Sequence, residues 1–267
     1  MNNRDSRLRP SRRGFLQTSA AISAASLLPL PPLDAAQSAP AELPPAFAGL
    51  KPLGSRVQPI AVEEFRARLA RAQKLMTDAA PRFDALFLAP GTSLYYFTGI
   101  RWGMSERLVA LLLPRSGEPF LVCPAFEEGR LRELLRFPIE VRVWQEDESP
   151  AKLAAATLAE RGVRTGRAGI EETVRFTFFD HFRRDAPGLE CVSADSVTIG
   201  CRARKSPQEL ALLRLACEAN CDVYRAVFAS LQEGMSQEDL GRLVEAGFAR
   251  MGLRGGALTL IGPSAAL

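Results

Sequence analysis

The pattern of apolar and polar positions divides the chain into a region of alternating strands and helices and a region of long helices. Between residues 61 and 192, short apolar runs bounded by Gly, Pro and polar clusters alternate with helical segments. The first helix is predicted over 61–80, where Phe65, Leu69, Ala72 and Met76 recur every three or four positions. Strands that alternate with helices predict an α/β fold built on a mixed sheet.

The other elements of this region follow from the same two periodicities. Helices are predicted at 127–136, 150–161 and 174–184, and strands at 84–89, 93–97, 108–113, 120–123, 139–144, 167–170 and 189–192. The Pro- and Gly-containing stretch 114–119 predicts a hairpin turn between two of the strands. The acidic run 145–148 is interpreted as a solvated loop rather than a metal site.

After residue 202 the pattern becomes helical. Ser206, Pro207 and Glu209 predict a capping box with proline in the first turn. The helix should run to about residue 231, with apolar residues roughly along one side: Leu210, Leu213, Cys217, Tyr224, Phe228 and Leu231.

Ser236 and Asp239 predict a second helix ending near Met251, with Gly234 and Gly252 suited to the two helix exits. Residues 253–261 are typical of the start of a strand. Because these two helices expect a sheet against their apolar faces, 198–267 should be poorly stable alone, whereas 59–197 should fold independently.

The first 41 residues predict an export signal. Ser11-Arg12-Arg13-Gly14-Phe15-Leu16 resembles the twin-arginine motif, and the apolar run 18–33 is too short and too interrupted by proline for a stable membrane span. The expected location is therefore periplasmic or secreted. Residues 42–58 are rich in proline and are interpreted as a linker.

The charge distribution argues against a nucleic-acid partner. Residues 1–15 carry five arginines against one aspartate, which accounts for the whole formal charge of +4. The remainder is formally neutral, whereas nucleic-acid binders usually carry a basic stripe on the folded part.

Basic residues followed by S-P-x-E and a Leu-rich helix, at 202–210, resemble the opening of the catalytic domain in the prolidase, aminopeptidase P and creatinase family. The resemblance implies a ribonuclease-H-like mixed-sheet N-terminal domain over 59–197, followed by an incomplete α+β pita-bread domain over 198–267. It also implies a homodimer that hydrolyses Xaa–Pro bonds of peptides with two divalent metal ions, Mn, Co or Zn.

The stretch Tyr96-Phe97-Thr98-Gly99 resembles a signature of the same family. The resemblance implies that Arg107, eight residues after the glycine, grips a substrate carboxylate in the neighbouring subunit's site. Trp102 could supply an apolar wall for a proline ring. The alternatives are a surface Arg107 paired with Glu106 or another acid, and a Trp102 that belongs to the core.

No catalytic or metal-binding residue is expected in this chain. Residues 260–267 resemble the segment just upstream of the family's Pro-His-Gly, so the two Asp, one His and two Glu that bind metal there should all come later. The chain alone should therefore lack metallopeptidase activity. Creatinase-type amidinohydrolysis and a non-catalytic, dimer-forming or binding remnant stay open as alternatives.

The single histidine and the five cysteines give no better site. His181 is predicted to be a partly buried structural residue on a helix. Cys217 and Cys221 could share a helix face, but zinc would need two further ligands. Cys191 and Cys201 could pair in an oxidising compartment, although mostly reduced, packed cysteines are favoured.

Overall fold

The structure is a computed structural model that describes residues 43–254. The predicted export signal and most of the strand predicted over 253–261 lie outside the described residues. Short 3₁₀ turns occur at Pro45–Gly49, Gly54–Arg56 and Ala125–Glu127. The regular elements, in chain order, are α1 (Val62–Asp78), β1 (Ala85–Leu88), α2 (Thr92–Thr98), β2 (Ala110–Pro114), β3 (Phe120–Pro124), α3 (Glu128–Glu133), β4 (Glu140–Trp144), α4 (Pro150–Glu160), β5 (Gly166–Ile170), α5 (Phe176–Asp185), β6 (Leu189–Ser193), α6 (Asp195–Ala203), α7 (Pro207–Phe228) and α8 (Gln237–Arg250).

The strands form one six-stranded mixed sheet in the order β4-β3-β2-β1-β5-β6. The β1–β2 and β2–β3 pairs are antiparallel, and the other pairs are parallel. In the central strand, Leu86 lies opposite Leu113 of β2 and Gly169 of β5. The predicted mixed α/β fold is therefore confirmed, including the hairpin between β2 and β3.

Both faces of the sheet are covered, which explains why its central strands are apolar without alternation. On one face, Leu86 and Leu88 pack in a cluster with side chains of α1, α2 and α6. On the other face, Phe87 packs against α4 and α5, with its ring centroid 4.9 Å from that of Phe182. The sheet and these helices form a three-layer sandwich.

The strand predicted at 93–97 is wrong, because this segment forms helix α2. Leu94 and Phe97, three residues apart, are both fully buried, and Tyr96 beside them is 8% exposed. Gly99 ends the helix in the left-handed conformation at φ 75°, and its N–H donates to the Tyr95 carbonyl. A short apolar run buried on several sides fits either element, and here packing against α1 favours the helix.

Helix α6 was not predicted, and it crosses the border proposed between residues 197 and 198. Val197 and Cys201 lie on its buried face and belong to the core cluster that contains α1. The domain borders themselves stay predictions. The structure adds that the segment before Ser206 is packed on the sheet domain.

Helices α7 and α8 begin as predicted; α8 ends at Arg250, beside the predicted end, whereas α7 ends at Phe228, before the predicted end near residue 231. The Ser206 Oγ accepts the Glu209 N–H at 3.2 Å, and the Ser206 N–H donates to the Glu209 carboxylate at 2.8 Å. Ser236 and Asp239 form the same capping box at the start of α8. Gly252 follows α8 with φ 75°, as predicted for a helix exit. Gly234 also has positive φ, at 86°, but it lies in the connection between the helices, since α7 already ends at Phe228 with Ala229 as its C-cap.

The buried side of α7 differs from the predicted one. Leu215, Ala219, Val223 and Val227 are buried, whereas most of the predicted stripe, including Phe228 at 64%, is exposed. The helix therefore has two apolar faces, of which the described residues cover one. No helix within residues 43–254 combines the length and the apolar character needed to cross a membrane.

The buried face of α7 packs against α8 and the segment 43–53. This segment was interpreted as part of a linker, but Phe47, Leu50 and Leu53 are buried in a separate cluster with the two helices. The Leu53 N–H donates to the Met251 carbonyl at 3.0 Å, and Arg250 Nε donates to the Leu50 carbonyl at 3.2 Å. Proline-rich sequence lacks periodicity, so this packing left no signal in the pattern.

Candidate functional site

The loop between α2 and β2 carries both residues predicted to contact substrate. At its start, Thr98 Oγ1 donates to the Leu94 carbonyl at 2.6 Å, and Ile100 N–H donates to Thr98 Oγ1 at 3.1 Å. Ile100 and Leu108, at the two ends, are each only 1% exposed. The loop is therefore a surface segment held at both ends by the core, an arrangement typical of binding loops.

Arg107 is engaged by acidic side chains of the same chain. Its Nε and Nη2 donate to the two carboxylate oxygens of Glu146 at 2.9 and 3.2 Å, and Nη1 contacts Glu106. Its guanidinium carbon lies 5.3 Å from the ring centroid of Phe126. The hydrogen bond and charge of Glu146 raise the pKa of Arg107 above its ordinary value. The side chain is 39% exposed, so the pair lies at the surface.

Trp102 is half-buried and packs against the core cluster on the α1 side of the sheet. The guanidinium carbon of Arg130 lies 4.6 Å from the centroid of its ring. Arg130 and Phe126, which lies beside the Arg107 guanidinium, both belong to the short segment 126–130. The structure thus brings the two candidate residues to a common neighbour, with one face of the indole ring occupied by a cation.

Several large apolar side chains are exposed beside this loop. Met104 is 41% exposed, Phe126 is 65% exposed, and Phe176 at the start of α5 is 75% exposed. Arg175, the neighbour of Phe176, donates from Nη1 to the carbonyl of Ser105 in the loop at 2.9 Å. Clustered exposed aromatic and Met side chains are typical of interaction surfaces.

A second constellation, here named the Arg68 junction, joins Arg68, Glu64, Tyr96 and Glu209. Arg68 lies on α1 and is 5% exposed. Its guanidinium donates to the Tyr96 carbonyl at 2.8 Å and pairs with Glu64 at 3.2 Å and with Glu209 at 3.3 Å. The guanidinium carbon also lies 4.2 Å from the Tyr96 ring centroid. One buried cation thus links α1, the helix that precedes the loop, and the capping box of α7.

A third polar group is buried at the carboxyl end of β5. Glu171 is 3% exposed, and burial raises the pKa of its carboxyl above the ordinary value, against the opposing effects of Ser93 and Arg202. Arg202 donates from Nη1 to Ser93 Oγ at 3.0 Å. Within the described residues, Glu171 Oε2 has no hydrogen-bond partner. Arg202 of α6 therefore lies near this buried carboxyl through Ser93, and it pairs with the neighbouring Glu172 at 4.0 Å.

Sequence reasoning placed Arg107 and Trp102 in the loop but missed their partners. Glu146 lies in the acidic run interpreted as solvated, and Arg130 is one of several charges on a short helix. Arg68 lies three residues after Phe65 and four before Ala72, so its spacing on α1 was a signal of burial that the sequence analysis did not use. The partners themselves are set by the tertiary fold and leave no mark on the spacing of residues.

The described residues do not fit a metal site. Within 43–254, no three or more His, Cys, Asp or Glu side chains are placed to hold a metal ion. His181 lies on α5 as predicted, but it is exposed rather than partly buried, because Phe178 and Phe182 form the buried side of the helix and His181 lies at the edge of it. No step is therefore assigned to a metal among these residues.

A model of the creatinase/prolidase N-terminal domain matches residues 68–204, just over half of the chain. The match covers the sheet, the loop with Trp102 and Arg107, and helix α6. This chain belongs to the creatinase/prolidase family. The match ends directly before the capping box of α7.

Known proteins of this family resemble about two thirds of the chain. "Probable dipeptidase PepE" from Mycobacterium tuberculosis is 30% identical over 180 residues, which are 67% of this chain and 46% of the relative. The crystal structure of dipeptidase PepE from Mycobacterium ulcerans has a TM-score of 0.63 at 27% identity, covering 71% of this chain and 50% of that one.

A prolidase from Thermococcus sibiricus is similar in structure, with a TM-score of 0.59 at 25% identity, covering 69% of this chain and 49% of that one. The chain spans about half the length of the curated relatives that it matches.

Proposed function

We propose that this family member acts in hydrolysis of Xaa–Pro peptide bonds, with peptides as substrates. The observation that carries the proposal is the family match over 68–204, supported by relatives and solved structures named dipeptidase or prolidase. In this proposal 59–197 form a ribonuclease-H-like domain, and the capping box of Ser206 and Glu209 opens a pita-bread domain. Two divalent metal ions would supply the activated water of the complete enzyme.

The described residues would contribute substrate binding rather than bond cleavage. A guanidinium can hold a carboxylate through two parallel hydrogen bonds, and Arg107 makes that arrangement with Glu146. Glu146 would hold Arg107 in the loop and release it to a substrate carboxylate of the same shape. In the proposed homodimer, the loop would reach the partner's site, and the exposed Met104, Phe126 and Phe176 favour such a contact.

The activity is tested with residues 1–267 and with any longer protein that the same reading frame encodes. We expect the longer protein to hydrolyse Xaa–Pro dipeptides when Mn²⁺ is added and to stop when the metal is chelated. Residues 1–267 alone should show no hydrolysis. Hydrolysis by 1–267 alone, or creatine hydrolysis without dipeptide hydrolysis by the longer protein, would contradict the proposal.

In the longer protein, Arg107→Ala should raise KM for a dipeptide with a free carboxylate. A charge-assisted contact contributes about 1.5–3 kcal/mol, so its loss should raise KM roughly ten- to a hundredfold. The amidated dipeptide should be affected much less, because it has no charge to bind. Arg101→Ala is the matched control, since Arg101 is an exposed arginine of the same loop that stacks on Tyr95 at 4.8 Å. An equal rise in KM for both dipeptides would mean that Arg107 has a structural role and does not bind the carboxylate.

We also propose twin-arginine export to the periplasm, on the basis of Arg12 and Arg13 in the predicted leader. The double variant Arg12→Lys, Arg13→Lys should remain in the cytoplasm, because the signal depends on the arginine pair. Fractionation with a reporter fused after residue 60 measures this. Arg7→Lys, a change of the same kind outside the motif, should leave export unchanged, and export of the double variant would refute the proposal.

A further inference from the structure

Helix α2 leads into the loop 99–109, here named the substrate loop, and its last turn is capped by a side chain of α1. The helix has only seven residues, so it depends on tertiary contacts for its stability. Carbonyls in the last turn of a helix lack a partner within it, and a basic side chain can bind them. The Ile100 N–H would bond the Tyr96 carbonyl if the helix continued, but it donates to Thr98 Oγ1 instead. Arg68 Nη1 takes its place and donates to the Tyr96 carbonyl at 2.8 Å.

The guanidinium of Arg68 is also held by two carboxylates. Its Nε bonds Glu64 of α1 at 3.2 Å, and its Nη2 pairs with Oε1 of Glu209 in α7 at 3.3 Å. The other oxygen of Glu209 accepts the Ser206 N–H in the capping box. Arg68 is 5% exposed, and a buried charge is stable only when it is paired. Each nitrogen of the guanidinium has its own partner, so the cap on α2 depends on the carboxylate at the start of α7.

Tyr96 ties α2 to α6 as well. Its hydroxyl donates to the Cys201 carbonyl at 3.0 Å, and its ring centroid lies 4.2 Å from the Arg68 guanidinium carbon. Helix α6 ends at Ala203, just before the capping box of α7. The carbonyl and the hydroxyl of Tyr96 are therefore both bound to groups that contact α7 or precede it.

The other end of the substrate loop is fixed by the sheet. Leu108 is 1% exposed, and Trp144 Nε1 of β4 donates to its carbonyl at 3.1 Å. Arg107 directly precedes this fixed end, and Trp102 lies three residues after Gly99, where α2 ends. Since the end at the sheet is held by the core, the course of the loop is set by the last turn of α2.

We propose that Arg68 is a positioning residue for the substrate loop, and that Glu209 makes the position of the loop depend on the start of α7. This inference rests on the proposed function, in which the loop binds substrate through Arg107 and α7 opens the second domain. Displacement of α7 would take Glu209 away from Arg68, weaken the cap on the Tyr96 carbonyl and loosen the loop. The loop would then be ordered only while the start of α7 stays at Arg68.

The test uses residues 1–267 and needs no peptidase activity. Hydrogen exchange of the substrate loop is measured by mass spectrometry, with the amides of β1 as the reference for the sheet. Glu209→Gln should make exchange in the loop roughly threefold to tenfold faster and leave β1 unchanged, because the pair with Arg68 loses its charge. Ser206→Ala is the matched control: it weakens the same capping box but keeps the pair, so exchange in the loop should stay as in the wild type.

A second measurement tests Arg68 itself through the fluorescence of Trp102. Trp144 is 6% exposed, so quenching by acrylamide reports mainly on Trp102. Arg68→Met removes the cap and should increase the quenching. Arg68→Lys keeps the charge with one nitrogen in place of three, and it should fall between Arg68→Met and the wild type. Circular dichroism checks that the variants are folded, and Arg68→Lys decides the outcome if Arg68→Met does not fold.

Four results would overturn the proposal. Wild-type exchange in Glu209→Gln would remove the role of Glu209, and wild-type quenching in the folded Arg68 variants would remove that of Arg68. Equal acceleration in Ser206→Ala would mean that the loop follows the stability of α7 and not the ion pair. Equal acceleration in β1 would mean that the pair only stabilises the whole domain. None of these measurements uses a peptide, so this inference and the proposed peptidase function can fail separately.

Discussion

Replacing Arg68 by methionine should lower the free energy of unfolding by about 3–5 kcal/mol, the usual cost of removing one partner of a buried ion pair. Arg68 is 5% exposed, and its partners Glu64 and Glu209 are partly buried around it. Its loss leaves two carboxylates facing one another and removes a donor from the Tyr96 carbonyl. Urea denaturation followed by fluorescence and circular dichroism measures the change.

Arg66→Met is the matched control for this variant. Arg66 lies two residues earlier on α1 and is exposed, so its replacement should change stability by no more than about 0.5 kcal/mol. If Arg68→Met is no more destabilising than Arg66→Met, the Arg68 junction contributes nothing to stability.

The contribution of Glu209 can be separated into two parts, because its carboxylate both caps α7 and pairs with Arg68. Ser206→Ala removes the hydroxyl cap and should cost about 1 kcal/mol, leaving the ion pair in place. Glu209→Gln keeps an acceptor for the Ser206 N–H but removes the charge. A double-mutant cycle of Arg68→Met with Glu209→Gln should therefore show coupling, whereas the cycle with Ser206→Ala should be nearly additive.

The sequence predicted two kinds of element: strands that are buried on both faces of the sheet, and helix ends that are set by neighbouring side chains. Strands such as β1 and β3 are short apolar runs between turn residues, and the capping boxes at Ser206 and Ser236 need only neighbouring side chains. Helix α2 was missed because its apolar residues are buried on several sides, which removes the periodicity that distinguishes a helix from a strand.

The candidate site was predicted less completely, because its residues come together through the tertiary fold. The loop position of Arg107 followed from the Thr98-Gly99 turn before it. Its bidentate partner Glu146 is 39 residues away in sequence, after three strands and a helix. The Arg68 junction was missed altogether, since a charged residue on a helix usually indicates a solvated face.

The second large effect on stability is expected where the segment 43–53 packs against α7 and α8. Phe47→Ala should destabilise the α7–α8 unit by about 3–5 kcal/mol, as expected for a fully buried phenylalanine. Phe47 is 1% exposed and lies in a cluster made only of this segment and the two helices. A Cβ built on Gly247 of α8 would lie 3.3 Å from the Phe47 ring, so the ring fits against bare backbone there.

The effect should be local, because this cluster is separate from the two that cover the sheet. Hydrogen exchange should become faster in the amides of α7 and α8, while β1 and β5 keep their protection, and a protease should then cut within 207–251 first. Phe228→Ala is the matched control, since Phe228 lies on α7 but is 64% exposed, and it should change exchange little. Equal exchange in the two variants would mean that 43–53 does not hold the helices. Faster exchange throughout the sheet would mean that the helices and the sheet unfold as one unit.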